Sequence, residues 1–184
     1  MDYDILVLEV ISNGTDGYPK DDVVDIGICG IDFETSRIDS IYSAVVYHDV
    51  SEWDDSKKDA VASQGISLDD IVRGIPPGDV RSHLGEKIHG TPVASFDVRN
   101  VFTKYMVNDP WDFTKEVTIM PSVASRLPPS LGCKVPSEEN TCIRRAYQKL
   151  FEGDPMNIES RSSALDHALM TAAILLKLRK AGRY

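Results

Sequence analysis

Residues 5–14 read Ile5-Leu-Val-Leu-Glu-Val-Ile-Ser-Asn-Gly14, an apolar run that carries one glutamate and ends in a turn dipeptide. A short run rich in β-branched residues and closed by Asn-Gly predicts a buried strand. Two similar runs follow, Val23 to Asp32 and Ile38 to His48, and the few residues between them suit a hairpin loop. The beginning of the chain therefore predicts a largely antiparallel, three-stranded meander.

After this meander the pattern changes to helices that alternate with short strands. Residues 56–64 and a segment capped by Ser67 predict two short helices, and Val80, Leu84 and Ile88 form the apolar stripe of a third. Residues 91–96 predict a buried strand and residues 117–120 a last one, with a helix between them that Asp97 can cap. The order predicts an α/β fold, a mixed sheet of about five strands flanked by helices.

The second half of the chain is rich in loops. Six of the ten prolines lie between Pro110 and Pro155, so the segment at about 106–160 is predicted to be loop-rich, with one helix from about Thr141. A final helix is predicted after it from a continuous apolar stripe, with Ser160 and Ser162 as caps. At 184 residues the chain fits a single domain, 1–184.

Charge is distributed unevenly along the chain. Residues 1–139 hold 12 Lys and Arg against 25 Asp and Glu, a net charge of −13, whereas residues 140–184 carry a net charge of +4. Because nucleic-acid phosphates are bound mainly by Lys and Arg, the acidic part is poorly suited to a broad nucleic-acid surface. Apolar runs are too short to cross a bilayer, so no membrane association is expected.

The cysteine count and the first residues indicate a cytoplasmic location. Three cysteines without a Cys-x-x-Cys pair argue against a disulfide framework, and a Cys133–Cys142 disulfide is not expected in a reducing compartment. The first residues show no secretory signal. Tyr105 and Met106, taken as exposed apolar positions, would allow a homodimer.

Four segments in order resemble the DnaQ-like exonucleases, the RNase T-type branch of the ribonuclease H fold, also called the DEDD superfamily. Residues 5–14 resemble the family's first strand, which normally ends in Asp-x-Glu-Thr-Thr-Gly, and Val24-Asp-Ile-Gly-Ile28 resembles its second strand. Residues 65–71 resemble a His-Gly-Ile-Thr stretch. Ala164-Leu-Asp-His-Ala-Leu-Met-Thr171 resembles the last helix, usually His-x-Ala-x-x-Asp-Ala followed by Thr.

The resemblance implies a 3′–5′ exonuclease in which four carboxylates hold two Mg²⁺ ions and a histidine activates water. Magnesium prefers hard oxygen ligands, and two ions together stabilise the attacking and leaving oxygens. The first carboxylate of the family falls on Glu9, but the second falls on Ile11, which cannot bind a metal. In the alternative register Glu9 takes the second position and Val7 the first, so one ligand is lost in either case.

The third carboxylate of the resemblance has two candidates. An ungapped alignment from Val93 places it at Asn100, whereas Asp97 supplies it if three residues are deleted. Asp97 also suits a helix cap.

In the last helix the histidine position is Ser162, and the final aspartate is replaced by His167. Asp166 is offset from that position by one residue, about 100° around a helix. His167 could itself bind a softer ion such as Zn²⁺ or Mn²⁺ together with Glu9.

These substitutions predict a degenerate two-metal site with weak or no exonuclease activity, in a domain that acts as a binding or assembly module for an unknown protein partner. The alternative is an active enzyme with a rearranged site. Its catalytic residues would be Glu9, Asp97 and His167, with Glu9, Asp97 and Asp166 as ligands of Mg²⁺ or Mn²⁺. The resemblance then implies a single-stranded nucleic acid 3′ end as substrate, bound by Ser12, Asn13 and Asn100.

Overall fold

The computed structural model describes residues 3–115, 117–128, 131, 139–152 and 163–184, without the side chains of 139–141. Within these residues the sheet consists of β1 (Ile5–Ser12), β2 (Val23–Asp32), β3 (Arg37–Val45) and β4 (Val93–Ala94). The order across the sheet is β3-β2-β1-β4. β2 is antiparallel to both β1 and β3, whereas β4 is parallel to β1. The predicted meander and the mixed α/β sheet are confirmed.

The predicted last strand, residues 117–120, is reduced to one bridge. Ile119 pairs with Val93 in parallel, and the Val93 N–H and carbonyl bond to Thr118 and Met120, each at 2.9 Å. Because β4 is only two residues long, it offers this segment little backbone to pair with. The described sheet therefore has four strands instead of the expected five.

The helices follow the predicted order. Val80, Leu84 and Ile88 are fully buried, which confirms the apolar stripe of the third helix. The Ser67 hydroxyl accepts the Asp70 N–H at 3.1 Å, as predicted for a cap. The helices are α1 (Asp55–Ser63), α2 (Leu68–Val72), α3 (Pro77–Ile88), α4 (Glu139–Leu150) and α5 (Ala164–Lys180), with a π-helix at Arg99–Met106 and a 3₁₀ turn at Val123–Arg126.

Strand β1 is buried on both faces, which explains its continuous apolar sequence. Ile5 and Val7 lie in a core with residues of α4 and α5, whereas Leu6 and Leu8 lie in a second core with α3 and the π-helix. Side chains alternate between the two faces of a strand, so Glu9 falls on the same face as Val7. This alternation places the one acidic residue of β1 under α5.

The expected exposure of Tyr105 and Met106 is wrong. Tyr105 is 4% exposed and Met106 is fully buried. After the π-helix the chain folds back, and the Phe113 N–H donates to the Met106 carbonyl at 2.9 Å. Trp111 and Phe113 join the same core, so they cover this face of the helix. The apolar positions that suggested a homodimer are therefore used inside the chain.

The expectation about disulfides is also wrong for Cys142. Cys142 on α4 is disulfide-bonded, whereas Cys29 is free and buried. Cys133, the other cysteine of the pair weighed from the sequence, lies outside the described residues. The expectation depended on an assumed reducing compartment and not on any geometric restriction at Cys142.

Candidate functional site

Glu9 lies near the middle of β1 and forms hydrogen bonds with the segment after β4 and with α5. Its Oε1 atom accepts the Phe96 N–H at 2.6 Å and the Thr171 hydroxyl of α5 at 3.0 Å. Burial raises the pKa of Glu9 to about 8, the negative charge of Asp97 adds to the rise, and the two hydrogen bonds oppose it. In the absence of a bound cation, Glu9 is therefore mostly a neutral acid at pH 7.

Glu9→Gln tests this protonation state. The native pKa of about 8 lies above the ordinary value of 4.5. The native state thus holds the proton longer than the unfolded chain, so stability falls as the pH rises from about 4.5 to 8. An amide carries no charge at either pH. We therefore expect the free energy of unfolding of the variant to match that of the wild type near pH 5 and to be about 2–4 kcal/mol higher at pH 8.

Urea unfolding at both pH values, with a chelator present, measures the effect of Glu9→Gln. Glu86→Gln is the matched control, because Glu86 is exposed on α3 and its replacement should change stability by less than about 0.5 kcal/mol. A Glu9→Gln variant less stable than the wild type at pH 8 would show that Glu9 is held ionised.

Asp97 and Asn100 lie together at the start of the π-helix. The Asp97 carboxylate accepts the Arg99 N–H at 3.0 Å and the Asn100 side-chain amide at 3.3 Å. The first contact spans two residues, as in an Asx turn. The residue that precedes the π-helix is Val98, so Asp97 is not at the cap position predicted from the sequence. Asn100 is buried, and its Oδ1 atom has no hydrogen-bond partner within the part of the chain that the structure describes. Both candidates for the third carboxylate position are therefore near each other, and Asp97 is the one whose charge influences Glu9.

Asp166 is used to begin helix α5. Its Oδ2 atom accepts the Ser163 hydroxyl at 2.6 Å and the Ser163 N–H at 3.2 Å, while the Ser163 hydroxyl accepts the Asp166 N–H at 3.1 Å. This reciprocal arrangement is a capping box. The cap is Ser163, whereas Ser160 and Ser162, the expected caps, lie outside the described residues. The carboxylate of Asp166 is thus engaged at the helix end.

Ser163→Ala should destabilise the protein by about 1 kcal/mol, because it removes the acceptor for the Asp166 N–H and one of the donors to its carboxylate. Ser82→Ala on α3 is the control, since the exposed Ser82 hydroxyl donates to the Gly78 carbonyl of its own helix and does not cap that helix. Urea unfolding of the two variants should separate them, and equal stabilities would contradict the capping role.

His167 is fully buried on α5, one turn before Thr171. Burial lowers the pKa of His167 to about 4, the positive charge of Arg144 lowers it further, and Asp166 opposes this. The ring is therefore neutral at pH 7. Neither of its nitrogens has a hydrogen-bond partner among the described residues, which is costly for a buried polar group.

Ile11, at the position of the family's second carboxylate, lies in an apolar cluster. The residue is 2% exposed. Its cluster combines residues from β2, α1, α2, the first turn of α5 and the loops on either side of α1: Val24, Trp53, Val61, Ile66, Ile71 and Ala164. A metal ligand at this position would have to be charged in the middle of a hydrocarbon core, which is strongly unfavourable. The surroundings of Ile11, and not only its own side chain, are unsuited to a cation.

Sequence reasoning missed Asp25, a buried carboxyl on the neighbouring strand. Asp25 pairs with Ile11 across the sheet, and its Oδ2 atom accepts the Ala164 N–H at 2.8 Å. Burial raises the pKa of Asp25 to about 6. An acidic residue accepting the first N–H of a helix also complements the helix dipole. Asp25 therefore fixes the N-terminus of α5 on the sheet; the lone acid within the apolar run of β2 was the available signal.

Ser12 and Asn13, predicted to bind substrate, organise the loop after β1. The Ser12 hydroxyl donates to the Gly14 carbonyl at 2.7 Å, and the Asn13 Oδ1 atom accepts the Asp22 N–H at 2.8 Å. Asn13 is buried, and no described residue forms a hydrogen bond with its Nδ2 atom. Their observed contacts are with the backbone of their own loop.

Taken together, the described residues place Glu9, Asp97 and Thr171 in one neighbourhood and use Asp166 elsewhere. Among the described residues, no group of three or more His, Cys, Asp or Glu side chains could hold a metal ion. Ser162, at the family's histidine position, is outside those residues.

The fold is that of the DnaQ-like exonucleases within the ribonuclease H-like α/β class, as comparison with solved structures shows. Cell-death related nuclease 4 (CRN-4) superposes with a TM-score of 0.68 at 15% identity, over 98% of this chain and 65% of that one. The nuclease domain of 3′hExo, a DEDDh family member bound to rAMP, gives 0.63 at 16% identity, over 98% and 94%. E. coli exonuclease I in complex with a dT13 oligonucleotide gives 0.64 at 10% identity, over 97% and 41%.

Sequence comparison adds no closer assignment. No protein-family model and no curated protein sequence matches the chain. The chain spans just under two thirds of the length of CRN-4. No helix among the described residues is long and apolar enough to span a membrane.

Proposed function

We propose that this chain is an exonuclease-fold domain whose two-metal site is degenerate, and that it acts as a binding or assembly module with weak or no 3′–5′ exonuclease activity. The observation that carries the proposal is the environment of Ile11, an apolar core at the position of a required carboxylate. A further observation supports it: Asp166 is bound into a capping box at the start of α5.

The residues present do not fit a pair of magnesium ions. Ligation needs deprotonated carboxylates in number, and binding must compete with the proton that Glu9 holds. Asp97 already accepts two hydrogen bonds, from Arg99 and Asn100. Among the described residues, one buried acid and one engaged carboxylate are too few oxygen ligands for two ions, since the further buried acid, Asp25, is bonded to the first N–H of α5. This arrangement therefore does not support hydrolysis by a metal pair.

A nuclease assay tests the proposal directly. Purified protein is incubated with a short end-labelled single strand, DNA and RNA in turn, with Mg²⁺ or with Mn²⁺. We expect no shortening of the strand beyond that produced by Glu9→Gln prepared in parallel. Progressive shortening from the 3′ end that Glu9→Gln abolishes would overturn the degenerate-site proposal.

The alternative function is an active 3′–5′ exonuclease built from Glu9, Asp97, Asp166 and His167. Two observations favour it. The charge of Asp97 reaches Glu9, and His167 presents a neutral imidazole, the form in which histidine binds metals, with no partner for either nitrogen in the described part of the chain. Its substrate would be a single-stranded 3′ end, in line with exonuclease I, whose structure contains dT13. Mg²⁺ or Mn²⁺ would be required.

If the domain is a binding module, its partner is another protein.

We also propose a cytoplasmic location. The Cys142 disulfide would be an exception there, since disulfides are rare in reducing compartments. Alkylation of free thiols in freshly lysed cells, followed by mass measurement of Cys142, tests this point. A homodimer has no support from Tyr105 or Met106, which are buried.

A further inference from the structure

An open groove of about 380 Å³ lies at the end of the molecule where α5 finishes. Its walls are mostly aliphatic: Ile38 from β3, Leu150 from α4, and Ala173 and Leu176 from α5. Its α5 residues run from Ala173 to Lys180, the second half of the helix, and begin about 14 Å along the axis from the helix start that Asp25 holds. They all lie beyond Thr171, the residue of α5 that bonds to Glu9.

The rim of the groove is mainly basic. Lys177 and Lys180 are exposed along one side, and Glu152 is the acidic residue among the lining side chains. The Arg179 guanidinium lies nearby, 3.9 Å from the centre of the Phe33 ring. This end of the chain belongs to the segment with a net charge of +4, whereas residues 1–139 have −13. The rim therefore favours an anionic partner.

The walls favour a peptide over a nucleic acid. Base recognition on single strands uses free aromatic faces. Phe151 is the aromatic ring among the described residues that line the groove, and it is already engaged. It stacks on Tyr147 with ring centroids 4.8 Å apart, and the Lys177 ammonium lies 4.5 Å from its centre. Aliphatic walls suit Leu, Ile or Phe side chains instead, as in grooves that bind amphipathic segments.

We propose that this groove docks an acidic segment of a partner protein, with apolar side chains inserted between α4 and α5 and carboxylates paired with Lys177 and Lys180. The cation–π contact and the hydrogen bond from Lys177 to the Leu150 carbonyl hold that ammonium at the rim. The inference goes beyond the proposed function and holds whether or not the site around Glu9 binds metal, because none of the candidate ligands of that site lines the groove.

Fluorescence anisotropy at low ionic strength tests the proposal. The probe is a labelled, helix-forming peptide of glutamates with leucines at i and i+4 spacing, and the comparison probes are the same peptide with serines for leucines and an oligothymidylate. We expect the leucine peptide to bind, and Lys180→Glu to weaken it about tenfold through charge reversal at the rim. Ile38→Thr, which alters one wall, should also weaken it, by about fivefold.

The matched control is Lys115→Glu, the same charge change at an exposed lysine that does not line the groove. We expect it to change the affinity less than about twofold. Glu9→Gln should leave peptide binding intact, which separates this proposal from that on the metal site. Circular dichroism and melting curves verify that each variant is folded.

Three results would overturn the inference. Equal binding of the leucine and serine peptides would mean that charge alone attracts them and the groove is not used. Binding of the oligothymidylate that Lys180→Glu abolishes, without peptide binding, would assign the surface to nucleic acid. Failure of the leucine peptide to bind the folded wild-type protein would leave the groove without the proposed partner.

Discussion

Replacing Gly27 by alanine is expected to destabilise the protein by about 3–5 kcal/mol and to lower its melting temperature by roughly 10 °C. A Cβ at this position would lie 2.2 Å from the Leu165 nitrogen and 2.3 Å from its Cα. These are backbone atoms of α5, so the whole helix start must move. That movement stretches the Asp25 bond to Ala164 and the Glu9 bond to Thr171.

Gly78→Ala is the control for this prediction, since no atom lies within 4 Å of a Cβ placed on Gly78 in α3. Alanine should stabilise that helix by up to about 1 kcal/mol. Thermal and urea unfolding of both variants provide the comparison. If Gly27→Ala were as stable as the wild type, the close contact between α5 and β2 would be wrong.

Replacing Ile11 by glutamate restores the carboxylate that the family pattern requires. We expect this replacement to lower the free energy of unfolding by about 4 kcal/mol or more. The new side chain would replace Ile11 in the apolar cluster with Trp53, Ile66 and Ala164. The new carboxyl would also lie opposite Asp25, which pairs with Ile11 across the sheet, so the two buried acids would oppose each other's ionisation. We also expect Mg²⁺ to restore neither stability nor nuclease activity, because the Asp25 carboxylate is already bonded to the first N–H of α5.

Ile11→Leu keeps the volume and the apolar character and should cost less than about 1.5 kcal/mol. Urea unfolding with and without Mg²⁺, together with the labelled-strand assay, measures both variants. An Ile11→Glu protein that is as stable as Ile11→Leu and degrades single strands in Mg²⁺ would show that the site is one substitution from activity.

Much of the fold could be predicted because its signals are local. The boundaries of β2 agree with the apolar run from Val23 to Asp32, and the stripe of α3 follows the helical period. Contacts that depend on tertiary structure could not be predicted in the same way. The burial of Tyr105 and Met106 results from the returning chain at Trp111 and Phe113, which no periodicity indicates. The sequence pattern also does not show that β4 is only two residues long, which reduces the last strand to one bridge.

For the candidate site, the sequence predicted which residues occupy the family's positions but not what surrounds them. The sequence alone shows that Ile11 cannot bind a metal, but not that its neighbours form a hydrocarbon cluster. The role of Asp25 depends on where α5 begins, and that position is set by packing against Gly27. Likewise, the protonation of Glu9 reflects its burial under α5, which cannot be read from a strand pattern.

Isothermal titration calorimetry with Mg²⁺ and with Mn²⁺ tests the central claim most directly. With wild type and Glu9→Gln titrated side by side near pH 7, we expect heats no different from dilution in both proteins. Two cations bound per chain in the wild type, with that heat lost in Glu9→Gln, would contradict the degenerate site.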